Sequence, residues 1–249
     1  AALLNIRTLS PRFNENKNLN GKVSLKAGSF GMINPGLLLQ QKINRQYSAQ
    51  LSTEWLSANG EYPYRLDHSY LGDGIVTSET RKNTDVQNLR IEGALYANLS
   101  ENESGYLKAY FYNSERGLPG ATILYNTDNF SSQRMWDRTF FTQAHYEKTF
   151  TPLWSLQMNA KYNHGMLHYL DTTYLNEAGK MESVYRQNEY YASFSVLYRA
   201  LEHLSFSFSS DAFLNTMMAD FETDVLDDEF ATPSRYSLLS VLAAKYVSN

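Results

Sequence analysis

Cysteine is absent from the 249 residues, which excludes disulfides, thiolate metal sites and cysteine nucleophiles. No apolar run approaches the roughly 18 residues that a transmembrane helix requires. The 22 basic and 26 acidic residues give a net charge of -4 and include no basic run. Nucleic-acid binding through phosphate neutralisation is therefore unsupported, and we expect no nucleic-acid partner.

Large aromatic side chains are abundant in a chain that is polar on average. The sequence has 19 Tyr and 13 Phe, against 13 Gly and 6 Pro, and its mean hydropathy is -0.47. Soluble domains also expose Tyr, so composition alone does not decide between a soluble domain and a membrane protein. A membrane β-barrel requires this combination, because each strand faces lipid on one side and a wet interior on the other, with aromatic girdles at both interfaces.

Apolar and polar residues alternate with a period of two in several segments, which is the pattern of half-buried strands. Apolar Trp154, Leu156 and Met158, for example, alternate with Ser155 and Gln157. The pattern predicts about ten strands, and several of them have the 9 to 11 residues or more that a tilted membrane-crossing strand needs. The predicted strands are 21–31, 36–44, 47–57, 87–99, 105–113, 137–149, 153–164, 187–199, 203–212 and 235–247.

The predicted connections alternate between short and long. Tight turns fall near 44–46, 100–104, 149–152 and 200–202, and long loops near 58–86, 114–136, 165–186 and 213–234. Long loops without secondary structure are uncommon in compact soluble domains. Short turns on one rim and long loops on the other are typical of outer-membrane barrels. The sequence therefore predicts an all-β fold, an antiparallel transmembrane β-barrel in the bacterial outer membrane.

Four segments resemble one family of outer-membrane proteins. Leu3-Leu4-Asn5-Ile6-Arg7-Thr8 resembles the last strand of the plug domain of TonB-dependent receptors. Gly60-Glu61-Tyr62-Pro63-Tyr64, Tyr112-Asn113-Ser114-Glu115-Arg116-Gly117-Leu118-Pro119-Gly120 and Trp136-Asp137-Arg138 resemble the cobalamin-receptor-like branch. The resemblance implies that 1–12 is the end of the plug and its linker. It implies that 13–249 is the first part of the barrel, about 10 of 22 strands.

The resemblance also implies a function and a set of partners. The intact receptor would import a large, scarce nutrient, with a cobalamin-like corrinoid as the best match and a siderophore or oligosaccharide as alternatives. Its partners would be outer-membrane lipid, the inner-membrane TonB complex acting through the plug, the nutrient itself and a surface lipoprotein that captures ligand first.

Aromatic and basic residues in the predicted long loops are candidates for ligand binding. Rings at these positions can stack on a corrin, a haem or a sugar face, and an arginine can bind a phosphate or carboxylate bidentately. Alternatively, the rings pack within the loops or belong to a girdle, and the arginine stabilises a turn. The candidates are Tyr62, Tyr64, Tyr70, Arg116, Tyr125 and Trp136.

Two further patterns suggest metal binding. Alternate carboxylates at Asp220, Glu222 and Asp224 converge on one side of an extended loop, as Ca²⁺ requires, although a solvated acidic loop has the same composition. The resemblance to cobalamin receptors also implies calcium, because calcium-ordered loops occur in those proteins. His164 and His168 have helical metal-site spacing, but they fall where a predicted strand runs into a loop, so we expect no ligand role for them.

Three other functional classes remain as alternatives. The sequence has no nucleophile-elbow, phosphate-loop or dinucleotide motif, so we expect no enzymatic activity. A passive porin-type channel would also be a barrel, but it would begin directly with a strand rather than with a segment such as 5–8. A soluble β-sandwich that binds carbohydrate is the third alternative, and it would need no detergent to stay monodisperse.

Overall fold

The computed structural model describes residues 10–14, 17–67, 76–120, 132–174, 179–222 and 232–247. Within these residues the chain forms twelve β-strands, and no helix there is long and apolar enough to cross a membrane. The strands are β1 Leu19–Gly28, β2 Met32–Lys42, β3 Tyr47–Ala58, β4 Tyr62–Asp67, β5 Val76–Arg81, β6 Val86–Ser100, β7 Glu103–Gly117, β8 Arg134–Thr151, β9 Trp154–Asp171, β10 Met181–Leu201, β11 Leu204–Glu222 and β12 Ser234–Tyr246.

Ten of the strands form one antiparallel sheet, and within this sheet the strands pair in the order in which they occur along the chain. The order is β1-β2-β3-β6-β7-β8-β9-β10-β11-β12, and β4 and β5 form a separate hairpin between β3 and β6. The ten strands predicted from alternation correspond to these ten. Within the described residues β1 and β12 each have a single neighbour, so the sheet is an open arc.

Several strands are longer than the sequence pattern predicts. The long loops predicted at 165–186 and 213–234 are wrong over much of their length, because β9 runs to Asp171, β10 begins at Met181 and β11 runs to Glu222. Likewise, β7 and β8 extend into 114–136, and 58–86 contains the β4–β5 hairpin. Alternation of apolar and polar residues fades in these extensions because both of their faces meet water, so periodicity does not reveal them.

The two faces of the sheet have opposite character. One face, here called the outer face, carries large apolar side chains that are 37% to 80% exposed, among them Val23, Leu39, Leu51, Leu95, Leu107, Met158, Phe194, Phe208, Leu238 and Leu242. The other, the inner face, carries all the buried polar side chains found in the described residues, namely Asn34, Lys108, Ser114, Asp171 and Ser183. Apolar outside and polar inside is the pattern of a membrane barrel wall.

A single rung of paired residues shows that the strands are tilted relative to the apolar layer. On the outer face this rung is apolar on β1 at Val23, β6 at Ile91 and β8 at Phe140, but polar on β9 at His164 and β10 at Asn188. The full rung is Val23, Leu37, Thr53, Ile91, Phe111, Phe140, His164, Asn188, Thr216 and Ser234. A rung perpendicular to the strands leaves the apolar layer only if the strands cross that layer obliquely, as in a barrel.

Aromatic pairs on the outer face mark both limits of the apolar layer. On β9 and β10 the rings of Tyr162 and Tyr190 lie 4.9 Å apart at one limit, and those of Trp154 and Tyr198 lie 4.3 Å apart at the other. The strand between these pairs covers about 20 Å of bilayer at a tilt near 40°, close to the apolar band of about 25 Å in such barrels. Paired rings at both limits of the apolar layer are the arrangement of the aromatic girdles in a membrane barrel.

Candidate functional site

The sheet has two different ends, and the candidate site lies at one of them. The turn rim carries the short connections 43–46, 101–102, 152–153 and 202–203. The loop rim carries the β1–β2 turn, the β4–β5 hairpin and the connections 118–133, 172–180 and 223–233. Because β7 to β11 continue past the apolar layer toward the loop rim, this end of the wall stands outside the bilayer.

The segment 82–85, here called the hub, joins two parts of the loop rim. Asn83 has a left-handed backbone with φ of 54°, which asparagine tolerates better than most residues. Its side-chain amide donates to the carbonyl oxygens of Leu118 and Gln133, both at 2.9 Å. These two residues are the two ends of the connection between β7 and β8. One side chain therefore closes that connection and holds it against the base of the hairpin.

Arg134, the first residue of β8, completes the attachment of the hub. Its guanidinium donates to both carboxylate oxygens of Asp85, at 2.7 and 3.0 Å, and to the carboxylate of Glu115. The hydrogen bonds that Arg134 donates to Asp85 raise the pKa of Arg134; burial opposes this, and the hydrogen bond to Glu115 adds to the increase. Arg81 at the end of the hairpin also donates to the carbonyl oxygen of Gly120. The hairpin and the β7–β8 connection are therefore joined by charged contacts as well.

The predicted ligand residues Tyr62 and Tyr64 both lie on β4 and point to the same face of the hairpin. Their ring centroids are 6.4 Å apart with an interplanar angle of 60°. The Tyr64 hydroxyl donates to Glu79 on β5 at 2.8 Å. Burial raises the pKa of Tyr64, and the hydrogen bond to Glu79 raises it further. The hairpin thus presents an aromatic face with a carboxylate beside it.

Arg116 and Trp136 lie on opposite faces of the sheet. Arg116 is on the inner face, with a guanidinium nitrogen 2.6 Å from the Asp137 carboxylate and another 2.8 Å from the Met135 sulfur. Trp136 is on the outer face and stacks on His168 with centroids 4.7 Å apart. The structure thus does not bring the two together at one site. Tyr70 and Tyr125 lie outside the described residues.

The two histidines lie inside β9, not at the start of a loop as the sequence suggested. Both are on the outer face, where His164 bonds to Asn188 at 2.8 Å and His168 to Glu182 at 2.7 Å. The hydrogen bond with His168 lowers the pKa of Glu182, and burial opposes this effect. Each histidine thus has a protein partner on the next strand.

The described residues include two of the three residues predicted to bind calcium. Asp220 is exposed and pairs with Arg186 on β10. Glu222 is the last residue of β11, and Asp224 lies outside the described residues. Among the residues that the structure describes, no group of three or more His, Asp or Glu side chains is arranged to hold a metal ion. Calcium binding at 220–224 stays a prediction.

The inner face carries a series of charged and hydrogen-bonded groups that crosses the sheet. Glu54 lies 3.3 Å from Lys26 and 3.5 Å from Arg90, and Lys161 lies 2.9 Å from Glu189. Further pairs are Lys108 over the Tyr96 and Tyr106 rings, His145 with Asn159, Asn159 with Ser193, and Tyr191 with Asp211. Such a wall suits a wet or protein-filled interior and not a packed apolar core.

One residue at the loop rim was missed by the sequence analysis. Phe30, in the β1–β2 turn, packs on Tyr62 with centroids 5.7 Å apart and an interplanar angle of 56°. Its backbone φ of 61° is unusual for a bulky residue. An aromatic residue at the tip of a short turn, directly before Gly31, was the available signal in the sequence.

No family model and no curated protein matches the chain. Among solved structures, the copper transporter OprC matches with a TM-score of 0.60 and 14% identity, over 90% of this chain and 34% of that one. The outer membrane protease OmpT of Escherichia coli matches at a TM-score of 0.33, with 11% identity over 91% of this chain and 86% of that one. The monoaromatic hydrocarbon channel CymD matches at a TM-score of 0.25, with 10% identity over 93% of this chain and 78% of that one.

The first of these similarities bears on the fold. The chain covers about a third of the length of OprC, and the two align over nearly the whole of this chain. The predicted fold class is confirmed, since the described residues form an all-β antiparallel arc of an outer-membrane barrel. The predicted outer-membrane location agrees with this fold. The TM-scores of the other two structures are too low to add an argument.

Proposed function

We propose that this chain is part of a TonB-dependent outer-membrane receptor that imports a large, scarce nutrient. The supporting observation is the asymmetry of the wall: the apolar layer of β9 to β11 ends near Tyr162, Tyr190 and Leu214, yet these strands continue well beyond it. A wall that rises past the bilayer and carries a connected aromatic and charged rim suits capture of a ligand from outside. Segment 1–12 is proposed to be the end of a plug, and 13–249 the first part of the barrel.

Import by such a receptor would begin with ligand binding at the loop rim. The inner-membrane TonB complex would then act through the plug, which is proposed to fill the space lined by the inner face. The ionic groups of Lys26, Glu54 and Arg90 would contact either this plug or water. In this proposal the protein carries out transport rather than catalysis. A surface lipoprotein that delivers the ligand and calcium in the 220–224 segment are further parts of the proposal.

The proposed ligand is a cobalamin-like corrinoid, with a siderophore or an oligosaccharide as alternatives. The support is chemical: Tyr62 and Tyr64 present ring faces, while Glu79 and Arg81 on the paired strand add groups that bind polar substituents. Copper is a second candidate, which comes from the name of the transporter OprC. A copper site would use imidazole or thioether ligands rather than aromatic faces.

Uptake in cells tests the proposal. With the protein in its own outer membrane, labelled cyanocobalamin should accumulate in cells that have TonB and not in cells from which TonB has been deleted. Labelled ferric siderophore, maltoheptaose and copper in parallel assays identify the ligand class. Accumulation that is equal with and without TonB would instead indicate a passive channel. Release of the protein by a high-pH wash without detergent would contradict a membrane barrel.

A further inference from the structure

An aromatic corner on the loop rim brings together two hairpins that are separate in the sequence. Phe30 comes from the β1–β2 turn and Tyr62 from β4, and their rings meet at 56° rather than face to face. Phe30 remains 51% exposed and Tyr62 39% exposed, so the contact between them leaves much of each ring open to solvent. The open part of each ring is available for contact with a ligand.

The backbone holds Phe30 in a position that a bulky residue rarely adopts. Its φ of 61° is in the left-handed region, where glycine is the usual residue. The carbonyl oxygen of Phe30 accepts the backbone N–H groups of Asn59 at 3.1 Å and Gly60 at 3.3 Å. The turn is therefore fixed to the corner between β3 and β4. Glycine would satisfy the same backbone without strain, so the phenyl ring itself needs an explanation beyond the turn.

Polar groups border the corner on one side. On the hairpin, Tyr64 donates its hydroxyl to Glu79, and Thr77 donates to the same carboxylate at 3.1 Å. Alternate residues of β4 and β5 point to one face, so Tyr62, Tyr64, Thr77 and Glu79 share that face. Two half-exposed ring faces beside a hydroxyl and a carboxylate match a ligand that has an apolar face and a polar edge.

We infer that Phe30 and Tyr62 form a binding corner for the apolar face of a rigid ring-shaped ligand that carries polar substituents, with Tyr64 and Glu79 contacting the polar edge. This inference rests on the proposed function, because it identifies the loop rim as the place of ligand capture. A corrin and a sugar ring share the chemistry, since each has a face of C–H and C–C bonds edged by polar groups. The aromatic corner requires ring stacking and not metal coordination.

The test is equilibrium dialysis of the purified protein in detergent against cyanocobalamin, haemin and maltoheptaose. We expect the wild-type protein to bind at least one of them. Phe30→Leu keeps an apolar side chain but loses the ring face, and should weaken that binding about tenfold. Phe30→Trp should bind within about twofold of the wild type, because it restores an aromatic face. Tyr62→Leu should weaken binding as Phe30→Leu does.

Two further variants separate binding from folding. Phe30→Gly removes the ring and also relieves the backbone strain, so weaker binding by this variant cannot be attributed to a misfolded turn. Phe150→Leu removes a ring that is 56% exposed on the turn rim, and binding should stay unchanged. Equal binding by wild type, Phe30→Leu and Phe30→Gly would overturn the inference and leave Phe30 as an interfacial ring only. A wild-type protein that binds none of the three probes would also overturn it.

The outcomes for the inference and for the proposed function can be told apart. Binding that depends on Phe30, together with uptake that is indifferent to TonB, would support the corner and contradict the receptor. TonB-dependent uptake that is unchanged in Phe30→Leu and Tyr62→Leu would support the receptor and contradict the corner. Binding of cyanocobalamin but not of maltoheptaose would indicate that the ligand is a corrin. Binding of maltoheptaose but not of cyanocobalamin would indicate that the ligand is a sugar.

Discussion

The turn rim and the loop rim close the same strands by different means. At the turn rim a turn is closed by its own residues: the Asn44 side chain accepts hydrogen bonds from the backbone N–H groups of Gln46 and Tyr47, both at 2.8 Å. Distant contacts there join one turn to the next, as Gln46 does when it donates to the carbonyl oxygen of Leu99. At the loop rim the contacts join distant parts of the chain, and Asn83 binds the carbonyl of Gln133, 50 residues away. Local contacts form whenever the turn sequence is present, whereas distant contacts need the rest of the wall to be in place.

The largest expected effect comes from Gly60→Ala at the loop rim. Gly60 has a φ of 67°, and an added Cβ would lie 2.1 Å from the carbonyl oxygen of Thr84 in the hub. The substitution should lower the free energy of unfolding by about 2 to 3 kcal/mol, since strain and a backbone clash combine. Urea unfolding of the protein in lipid vesicles measures this.

Gly93→Ala is the matched control for that substitution. Gly93 lies within β6, and an added Cβ would have no atom within 4 Å. Its effect on the urea midpoint should be small. If the two alanine variants unfold at the same urea concentration, the hub does not support the loop rim.

A smaller effect is expected from Asn83→Gly, which keeps the left-handed backbone but removes the side-chain amide. Loss of its two hydrogen bonds, each 2.9 Å long, should cost about 1 to 2 kcal/mol in local stability. Hydrogen exchange should accelerate at 117–120 and 132–134, far from the substitution in sequence. Asn44→Gly at the turn rim should accelerate exchange only at 43–47, and a distant response there would remove the contrast between the rims.

The smallest expected effect is a dependence on pH at the β9–β10 connection. Burial opposes ionisation of Asp171, but hydrogen bonds from the Thr173 backbone and hydroxyl and from Gln133 outweigh it and lower the pKa of Asp171 below its ordinary value. Because the pKa of Asp171 is lower in the folded protein than in the unfolded chain, the ionised carboxylate stabilises the folded rim at pH values above its ordinary pKa. This stabilisation is lost as the pH falls through the lowered pKa. Protection of the amides at 172–174, measured relative to exchange from the unfolded chain at the same pH, should therefore fall below pH 4, while turn 202–203 should show no matching step.

Asp171→Asn is the control for the pH effect. Asparagine keeps an oxygen that accepts from Thr173 but carries no titratable group, so the loss of protection below pH 4 should disappear. If the asparagine variant shows the same pH dependence as the wild type, another group is responsible.

The sequence predicts the membrane-crossing part of the fold well. Between Trp154 and Tyr162, lipid on one side and polar groups on the other impose a strict period of two, and the predicted faces are those observed. Beyond Tyr162 both faces meet water, so β9 continues to Asp171 without a clear pattern, and the sequence predicts a loop from residue 165 onward. The environment of a strand, and not its hydrogen bonding, produces the signal that sequence analysis detects.

The candidate site was predicted less completely, for a related reason. Tyr62 and Tyr64 are predicted as ligand residues because they are aromatic residues in a long predicted loop, and their role stays a prediction. Phe30 was not among the predicted site residues because its contacts with Asn59, Gly60 and Tyr62 form only after β1, β2 and β3 pair. The hub could not be predicted either, since its partners at 118 and 133 are distant in sequence.

The extension of the strands past the apolar layer makes the wall uneven in height. β10 begins at Met181, about 30 Å of strand above Tyr190 at the edge of that layer, whereas β1 ends at Gly28, about 10 Å above Leu25. The described wall is therefore higher at β10 than at β1. In the proposed receptor, a ligand that approaches along the membrane surface on this lower side would meet Phe30 and the adjoining β4–β5 hairpin.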